Sequence, residues 1–242
     1  MHLTVIGCAG SFPGPESAAS CYLVEYDDFR LLLDLGNGAL GALQRHLDPI
    51  AIDAVLVSHQ HVDHCIDLCS LDVYLRYHPA GRQPAVPVFG PPGLADRIRA
   101  AAGDGPGLAL DFQELAPGLH RIGPFEVTAA QVAHPGVSYG YRIAAGGRTL
   151  AYSGDTGPTP ALVGLARDAD VALFEASFRS GAANPPDLHL TGAEAAQIAL
   201  GAGAAKLLLT HLVGWFEPGY ALQEAVSHPD VALAYPGLTL SV

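Results

Sequence analysis

Imidazole and carboxylate side chains are concentrated in one short segment, Ser58-His59-Gln60-His61-Val62-Asp63-His64. A short apolar run over residues 54–58 precedes it and predicts a buried strand, from whose end side chains can converge on one point. Imidazole suits zinc, manganese or iron, and a neighbouring carboxylate favours harder divalent ions. Three histidines and one aspartate exceed what one catalytic ion with an open position needs. The segment therefore predicts two metal ions.

Three further ligand-type residues each follow an apolar, strand-like run: His134, Asp155 and His211. Binding residues concentrate where the strands of a rigid scaffold stop. A lone histidine in such a place is more often a hydrogen-bonding residue than a ligand, and the cluster at residues 59–64 is what favours metal binding here. The remaining histidines have no such context and are interpreted as structural or surface residues: His2, His46, His78, His120 and His228.

The stretches that must position these residues alternate between strand-like and helix-like patterns, with no linker composition between them. Predicted strands cover residues 3–7, 21–26, 29–34, 54–58, 86–89, 125–132, 138–144, 148–153, 171–175 and 206–210. Predicted helices cover residues 38–46, 66–77, 94–102, 160–167 and 192–200, the last one opened by a capping box at Thr191 and Glu194. The pattern predicts an α/β fold in one domain over residues 1–242.

The composition and net charge of the chain limit the classes of partner that it can bind. Half of the 242 residues are hydrophobic, so a large core can form, and the formal net charge is -12. No run of lysine or arginine offsets this charge, which argues against long RNA as a partner. A small anionic substrate remains compatible, since bound cations reverse the local field.

The cysteines and the first residues of the chain bear on the compartment. The four cysteines, Cys8, Cys21, Cys65 and Cys69, form no C-x-x-C pair. The chain starts directly in a strand-like run, without a basic segment or a long apolar stretch, so we expect neither a signal peptide nor a membrane span. These features predict a cytoplasmic protein with reduced thiols and no membrane partner.

The order and spacing of the ligand-type residues resemble the metallo-β-lactamase superfamily, whose signature is His-x-His-x-Asp-His. The resemblance implies an αββα sandwich of two mixed sheets flanked by helices, and two divalent ions, with Zn²⁺ ahead of Mn²⁺ or Fe²⁺. It implies one ion on His59, His61 and His134, another on Asp63, His64 and His211, and Asp155 between them. True β-lactamases often carry a cysteine at one ligand position, so antibiotic hydrolysis is not implied.

Two further segments are similar to the phosphodiesterase branch that contains RNase Z. Phe174-Glu175-Ala176-Ser177-Phe178 is similar to the branch's His-Glu-Ala-Thr-Phe, and Leu188-His189-Leu190-Thr191 to its His-Ser-Thr segment. In that branch the glutamate orients a histidine that assists phosphate chemistry. The resemblance therefore implies Glu175, His189 and Asp63 as catalytic residues, in two-metal hydrolysis of a phosphodiester.

Departures from RNase Z affect the expected substrate. Phe174 stands where the branch usually has histidine, and residues 143–148 form only a tight hairpin turn where RNase Z carries its tRNA-binding arm. Segments at residues 41–46, 63–68, 76–79 and 185–190 are instead similar to actinobacterial proteins described as atypical cyclic-nucleotide phosphodiesterases. The expected substrate is thus a small nucleotide phosphodiester such as cAMP.

Several alternatives remain open at this stage. The first is an RNase Z-like enzyme that processes tRNA 3′ ends. The second is a lactone or thioester hydrolase on the same fold, which would use the same ligands without a Glu175–His189 pair. The third is a metal-containing binding domain without activity. The loop over residues 7–14 and the aromatic side chains of Trp215 and Phe216 are candidates for substrate contact. The resemblance also suggests a homodimer.

Overall fold

A computed structural model describes residues 1–103, 109–217 and 219–242. Residue 218 lies outside it, as do residues 104–108, which belong to the Pro/Gly-rich passage over residues 79–124. Two β-sheets pack face to face, and the helices cover their outer faces. This is the αββα arrangement of the metallo-β-lactamase fold, as predicted.

In the described residues, the first sheet contains nine strands. They are β1 (His2–Gly10), β2 (Ala18–Ala19), β3 (Cys21–Tyr26), β4 (Phe29–Leu33), β5 (Ala54–Leu56), β6 (Val86–Gly90), β7 (Leu110–Glu114), β14 (Leu212–Val213) and β16 (Thr239–Ser241). The second sheet contains β8 (Gly118–Ile122), β9 (Phe125–Gln131), β10 (Tyr139–Ala145), β11 (Arg148–Tyr152), β12 (Val171–Glu175), β13 (Lys206–Thr210) and β15 (Val231–Leu233).

The helices lie in two groups. On the side of the first sheet are α1 (Ala39–Leu43), α2 (Val62–Cys65), α3 (Leu68–Arg76) and α4 (Leu94–Ala102), with a 3₁₀ turn at Pro49–Ala51. On the side of the second sheet are α5 (Pro160–Ala166), α6 (Gly192–Ala202) and α7 (Tyr220–Glu224). In the described part of the chain, no helix is both long and apolar enough to cross a membrane.

Turn chemistry fixes the two hairpins that the sequence predicts. Asp27 and Asp28 both take left-handed backbone conformations, with φ of 52° and 61°, and they join β3 to β4. Gly146 and Gly147, with φ of 58° and 74°, join β10 to β11 in the same way. Two consecutive left-handed residues match the twist of antiparallel strands, which explains both registers.

Strand direction determines where the site can form. Strands β4, β5, β6 and β7 run parallel in the first sheet, and β11, β12, β13 and β15 run parallel in the second. Loops at the carboxyl ends of such strands collect at one edge of a sheet, where α/β proteins usually bind ligands. Both sheets therefore present these loops along one edge of the sandwich.

Alternating burial accounts for the packing between the sheets. Along β9, Phe125, Val127 and Ala129 are buried against the other sheet, whereas the residues between them are more exposed. This period of two is what a strand with one face in the core produces. Aromatic side chains fill the same layer, among them Tyr22, whose ring lies 5.4 Å from that of Tyr152.

Two strands of the Pro/Gly-rich passage, β7 and β8, were not predicted. Both are terminal strands of their sheets, and their burial patterns contain few fully buried positions. An edge strand that packs little apolar surface leaves only a weak hydrophobic signal in the sequence. The predicted helix over residues 66–77 is α3, and a separate single turn, α2, precedes it.

Candidate metal centre

The structure brings together all seven residues that the sequence singled out as ligands. Their nitrogen and carboxylate atoms form two groups, within each of which all ligand atoms lie within 4.8 Å of one another. The segment at residues 59–64 lies after β5 and in α2, whereas the other three residues follow β9, β11 and β13. The first group is His59, His61, His134 and Asp155, and the second is Asp63, His64, Asp155 and His211.

In the first group, three imidazoles converge. Nδ1 of His61 lies 2.9 Å from Nε2 of His59 and 3.1 Å from Nε2 of His134. His134 uses its other nitrogen, Nδ1, to donate to the carbonyl of Leu188 at 2.8 Å. This bond leaves Nε2 of His134 unprotonated and facing its neighbours, which is the form that binds a metal.

The second group has the same arrangement with two carboxylates. Nε2 of His211 lies 3.2 Å from Nε2 of His64 and 3.1 Å from Oδ2 of Asp63. Oδ1 of Asp155 lies 3.1 Å from Nε2 of His64 and 3.3 Å from Nε2 of His211. All four side chains are buried.

Asp155 provides the test of whether this donor set fits metal ions. It belongs to both groups, and its buried Oδ1 has no hydrogen-bond partner among the described residues. An unpaired buried carboxylate oxygen is costly unless a cation compensates it. Nitrogen and oxygen donors that face one another at these distances suit divalent ions, so the residues present fit two metals that share Asp155.

The ionisation behaviour of the imidazoles supports this fit. Burial lowers the pKa of both His59 and His134, which keeps them neutral and ready to bind a cation. Burial alone would also lower the pKa of His64, but the carboxylates of Asp155 and Asp34 raise it well above its ordinary value. The carboxylates around His64 thus favour a positive charge within the second group, as a metal ion would supply.

Asp34, at the end of β4, supports the second group and was not singled out from the sequence. It is fully buried, and its Oδ2 accepts hydrogen bonds from Nδ1 of His64 at 2.7 Å, the Tyr152 hydroxyl at 2.6 Å and the Ser58 hydroxyl at 2.8 Å. Nδ1 of His59 lies 3.0 Å from the same Ser58 oxygen. Asp34 therefore orients His64 directly and His59 through Ser58.

His211 is held by its own backbone and by Ser177. Its Nδ1 donates to the Ser177 hydroxyl at 2.7 Å, and this hydroxyl donates to the His211 carbonyl at 2.7 Å. The two bonds direct Nε2 of His211 toward Asp63 and Asp155. The backbone of His211 is left-handed, with φ of 55°, and a Cβ on Gly10 would lie 2.4 Å from its carbonyl oxygen. Only glycine allows this close approach of β1.

Glu175 and His189, the predicted catalytic pair, are in contact. Oε1 of Glu175, at the end of β12, accepts a hydrogen bond from Nδ1 of His189 at 2.8 Å and another from the Thr156 amide at 2.7 Å. Oε2 accepts from the Ser177 amide at 3.2 Å. Burial works to lower the pKa of His189, but the Glu175 carboxylate outweighs it and raises this pKa to about 9. The predicted capping box at Thr191 is present, and it fixes the start of α6 just after His189.

A cavity of about 340 Å³ opens over the two groups. It is lined by His61, Asp63, His134, Asp155 and His189, and also by Ser11, Val62, Arg97 and Leu188. Arg97, from α4, is the one basic side chain in this lining apart from histidine, considering the described residues only. The helix face that carries Arg97 could not be assigned to the site from the sequence, because α4 carries two arginines, Arg97 and Arg99.

The remaining predicted contacts have mixed outcomes. From the loop over residues 7–14, Ser11 lines the cavity, and its amide lies 3.4 Å from Nε2 of His211; Gly7 to Gly10 belong to β1 instead. Trp215 and Phe216 do not line this cavity. Phe174 is fully buried in the core between the second sheet and its helices and does not line the cavity.

Comparison with known families agrees with this geometry. A family model described as Beta-lactamase superfamily domain matches residues 30–212, which is most of the chain. The chain therefore belongs to the β-lactamase superfamily. The matched region contains all seven clustered histidines and aspartates.

Individual relatives refine this assignment. Over 239 residues the chain is 42% identical to the uncharacterized protein Rv1339 of Mycobacterium tuberculosis, which covers 95% of this chain and 87% of that protein. It is 31% identical to the probable metallo-hydrolase YhfI of Bacillus subtilis, over 88% of this chain and 87% of YhfI. The crystal structure of YhfI matches with a TM-score of 0.89 at 28% identity, over 99% of this chain and 98% of that chain.

A third relative links the chain to an RNA-processing family. Ribonuclease Z of Haloferax volcanii is 27% identical over an alignment of 284 positions, which covers 93% of this chain and 89% of the relative. Because this chain has only 242 residues, the relative contains segments that this chain lacks. The protein is thus a metallo-hydrolase of the metallo-β-lactamase fold, related to ribonuclease Z.

Proposed function

We propose that this protein is a two-metal phosphodiesterase that hydrolyses a small nucleotide phosphodiester, with a cyclic nucleotide such as cAMP as the first candidate. The observation that carries the proposal is the Glu175–His189 hydrogen bond of 2.8 Å at the edge of the metal centre. A phosphodiester needs a proton for its leaving oxygen, and this pair supplies one. A thioester has less need of such a donor, because a thiolate leaves more readily than an alkoxide.

The metal assignment follows the two groups of donors. One ion would be held by His59, His61 and His134. The other would be held by Asp63, His64 and His211, and Asp155 would bind both ions. The preponderance of imidazole favours Zn²⁺, with Mn²⁺ or Fe²⁺ as the alternatives. When bound, such ions neutralise phosphoryl oxygens and lower the pKa of water toward about 7, which supplies the nucleophile.

His189 is proposed to act as the proton donor. Its Nδ1 is occupied by Glu175, so its Nε2 is the atom that can give a proton to the leaving oxygen or bind a phosphoryl oxygen. Glu175 fixes the ring orientation, since two backbone amides hold its carboxylate in place. Both groups are already positioned before substrate arrives, so little reorganisation is needed.

Arg97 supports an anionic substrate. It lines the same cavity as His61 and Asp63, and the described residues place no acidic partner on its side chain. In a chain with a formal charge of -12, a guanidinium at the mouth of the metal centre provides a local attraction for phosphate. A neutral lactone would gain less from it, because its ground state carries no charge for Arg97 to attract.

A tRNA-processing ribonuclease is the second candidate, favoured by the identity to ribonuclease Z. The hairpin at Gly146 and Gly147 argues against it, because β10 and β11 are joined there by a two-residue turn that leaves no room for a tRNA-binding arm. The net charge argues in the same direction, since tRNA binding relies on contacts to many phosphates.

The experiment that tests this proposal is a substrate panel with metal content measured in parallel. It includes cyclic nucleotides, p-nitrophenyl phosphodiesters, precursor tRNA and a lactone. We expect hydrolysis of small phosphodiesters only. In His189→Ala we expect a larger loss for cyclic nucleotides than for the p-nitrophenyl esters, because p-nitrophenolate leaves readily without a proton. Efficient cleavage of precursor tRNA with cyclic nucleotides untouched would favour the second candidate, and lactone hydrolysis that is indifferent to His189 would contradict both.

A further inference from the structure

A second cavity, of about 370 Å³, lies beside the metal centre and is not used by the mechanism above. Its lining includes Phe178, Arg179, Asn184 and Phe216. Two of these are aromatic, one is a cation and one is an amide. Aromatic walls with a few polar groups are typical of sites for small planar ligands.

The cavity adjoins the proposed proton donor. The ring of Phe178 lines it and meets the ring of His189 edge to face, with centroids 4.9 Å apart. The amide of Phe178 donates to the carbonyl of Leu190 at 2.9 Å, which ties Phe178 to the residue that follows His189. A ligand in this cavity would therefore lie one side chain away from the reacting phosphate.

Arg179 is arranged to present a flat cation. Its guanidinium lies over the rings of Phe216, at 5.3 Å, and Tyr220, at 5.7 Å, and the residue is exposed. The Tyr220 hydroxyl donates to the carbonyl of Ala176 at 2.7 Å, which anchors the stack to the strand end near Glu175. Guanidinium and aromatic faces are the surfaces on which nucleic-acid bases stack.

Asn184 provides a hydrogen-bonding group in the lining of this cavity. Its Nδ2 donates to the carbonyl of Arg179 at 2.9 Å, which fixes the amide plane and leaves the side-chain oxygen available as an acceptor. The Glu224 carboxylate accepts from both the amide and the hydroxyl of Ser180, at 2.9 and 2.8 Å, so the segment that carries Arg179 is held against α7. The polar groups of this cavity are thus positioned without a ligand.

We infer that this cavity, formed by Phe178, Arg179, Asn184 and Phe216, binds the base of the nucleotide substrate while its phosphodiester lies over the metal centre. The inference rests on the proposed function and assigns the part of the substrate that is not phosphate. A flat ring with hydrogen-bonding atoms on its edge fits a stacked guanidinium, an aromatic wall and an amide, whereas a simple alkyl ester would leave all three without a partner.

Two substrates with the same reacting group test the inference: thymidine 5′-(p-nitrophenyl phosphate), which carries a base, and methyl p-nitrophenyl phosphate, which does not. We expect the unaltered protein to have the lower KM for the thymidine ester. Phe216→Ala and Arg179→Ala should each raise KM for that ester about tenfold, with kcat unchanged, because one stacking contact is lost. The methyl ester should be unaffected.

A matched control is available elsewhere on the surface. Tyr77 is an exposed aromatic residue stacked by Arg76 at 5.4 Å, like Phe216 by Arg179, but it lines neither cavity. Tyr77→Ala should leave KM for both esters unchanged. Asn184→Ala, at a surface position that packs no core, should raise KM for the thymidine ester alone even if Phe216→Ala fails to fold.

The possible outcomes distinguish failure of the base site from failure of the phosphodiesterase assignment. Equal KM values for the two esters in the unaltered protein, or an equal loss for both esters in Arg179→Ala, would overturn the base site and leave the phosphodiesterase assignment in place. Hydrolysis of neither ester by metal-loaded protein would overturn the assignment and the base site together.

Discussion

The two groups of metal-type residues share Asp155 but differ in burial and support. In the second group all four side chains are buried, and His64 and His211 are each oriented by a buried partner, Asp34 or Ser177. In the first group His61 is exposed, and no described residue bonds its outer nitrogen. A ligand that is free to rotate binds less tightly. We therefore expect the second position to hold its ion firmly and the first to exchange it.

The largest expected effect comes from removing one ligand in each group. His61→Ala and His64→Ala should both abolish diester hydrolysis and lower the metal content from two ions to one, because each removes a ligand from one position. They should differ in the metal-free protein. His64→Ala leaves the buried Asp34 carboxylate without its imidazole partner, which costs about 3–5 kcal/mol of unfolding free energy. His61→Ala, at an exposed position, should cost little.

Thermal or urea unfolding of the two chelated variants measures this difference, and elemental analysis measures the ions. Equal stability of the metal-free variants would contradict the contrast between a buried and an exposed position. His120→Ala serves as the control that should change neither quantity, because His120 is a partly exposed histidine on the terminal strand β8 and belongs to neither group.

The next effect in size concerns His189, which lies beside both groups. His189→Ala should lower kcat for a cyclic nucleotide, whose leaving group is a ribose oxygen, by about 10²–10⁴-fold, as the loss of a general acid does, while two ions remain bound. The structure also allows His189 to be a metal ligand, because Glu175, His189 and His211 lie close enough together to hold an ion. A loss of bound metal in parallel with activity would make His189 a ligand rather than a proton donor.

Asp34→Asn removes the carboxylate that orients His64 of the second group directly and His59 of the first group through Ser58. Three donors point at the same carboxylate oxygen, and an amide cannot accept from all of them. We expect about 10–100-fold weaker metal binding at the second position, which is the usual effect of losing such an orienting partner. The change at the first position should be smaller, because Asp34 reaches His59 only through Ser58. Tyr152→Phe removes one of the three donors and keeps the His64 bond, so titration with metal should find a smaller change.

Substitution of Arg97 has the smallest predicted effect, and it tests whether the substrate binds on the side of the metal centre where Arg97 lies. It lines the cavity together with the exposed His61. Arg97→Ala should raise KM for a phosphodiester about tenfold, because one charge-assisted hydrogen bond to the substrate is lost. Arg97→Lys should restore part of it, and metal content should stay at two ions. An unchanged KM would remove Arg97 from the substrate site.

The sequence was informative wherever a signal is local. The ligands could be predicted because they lie at the ends of apolar runs, and the helix after His189 because a capping box needs only Thr191 and Glu194. For Asp34 the sequence predicts only that it ends a strand. Its role could not be predicted because its partners Ser58, His64 and Tyr152 lie 24, 30 and 118 residues away. Arg97 was missed for a similar reason: which face of α4 meets the site depends on packing between distant elements.

Stepwise loading of the chelated protein with Zn²⁺ tests the central claim most directly. Calorimetry should resolve two binding events of unequal affinity, the tighter at the second group, and hydrolysis of a p-nitrophenyl phosphodiester should return only as the second equivalent binds. The same titration of His61→Ala should show the tighter event alone and no activity. Full activity after one equivalent, or in protein that holds no metal, would contradict a centre in which Asp155 serves two ions.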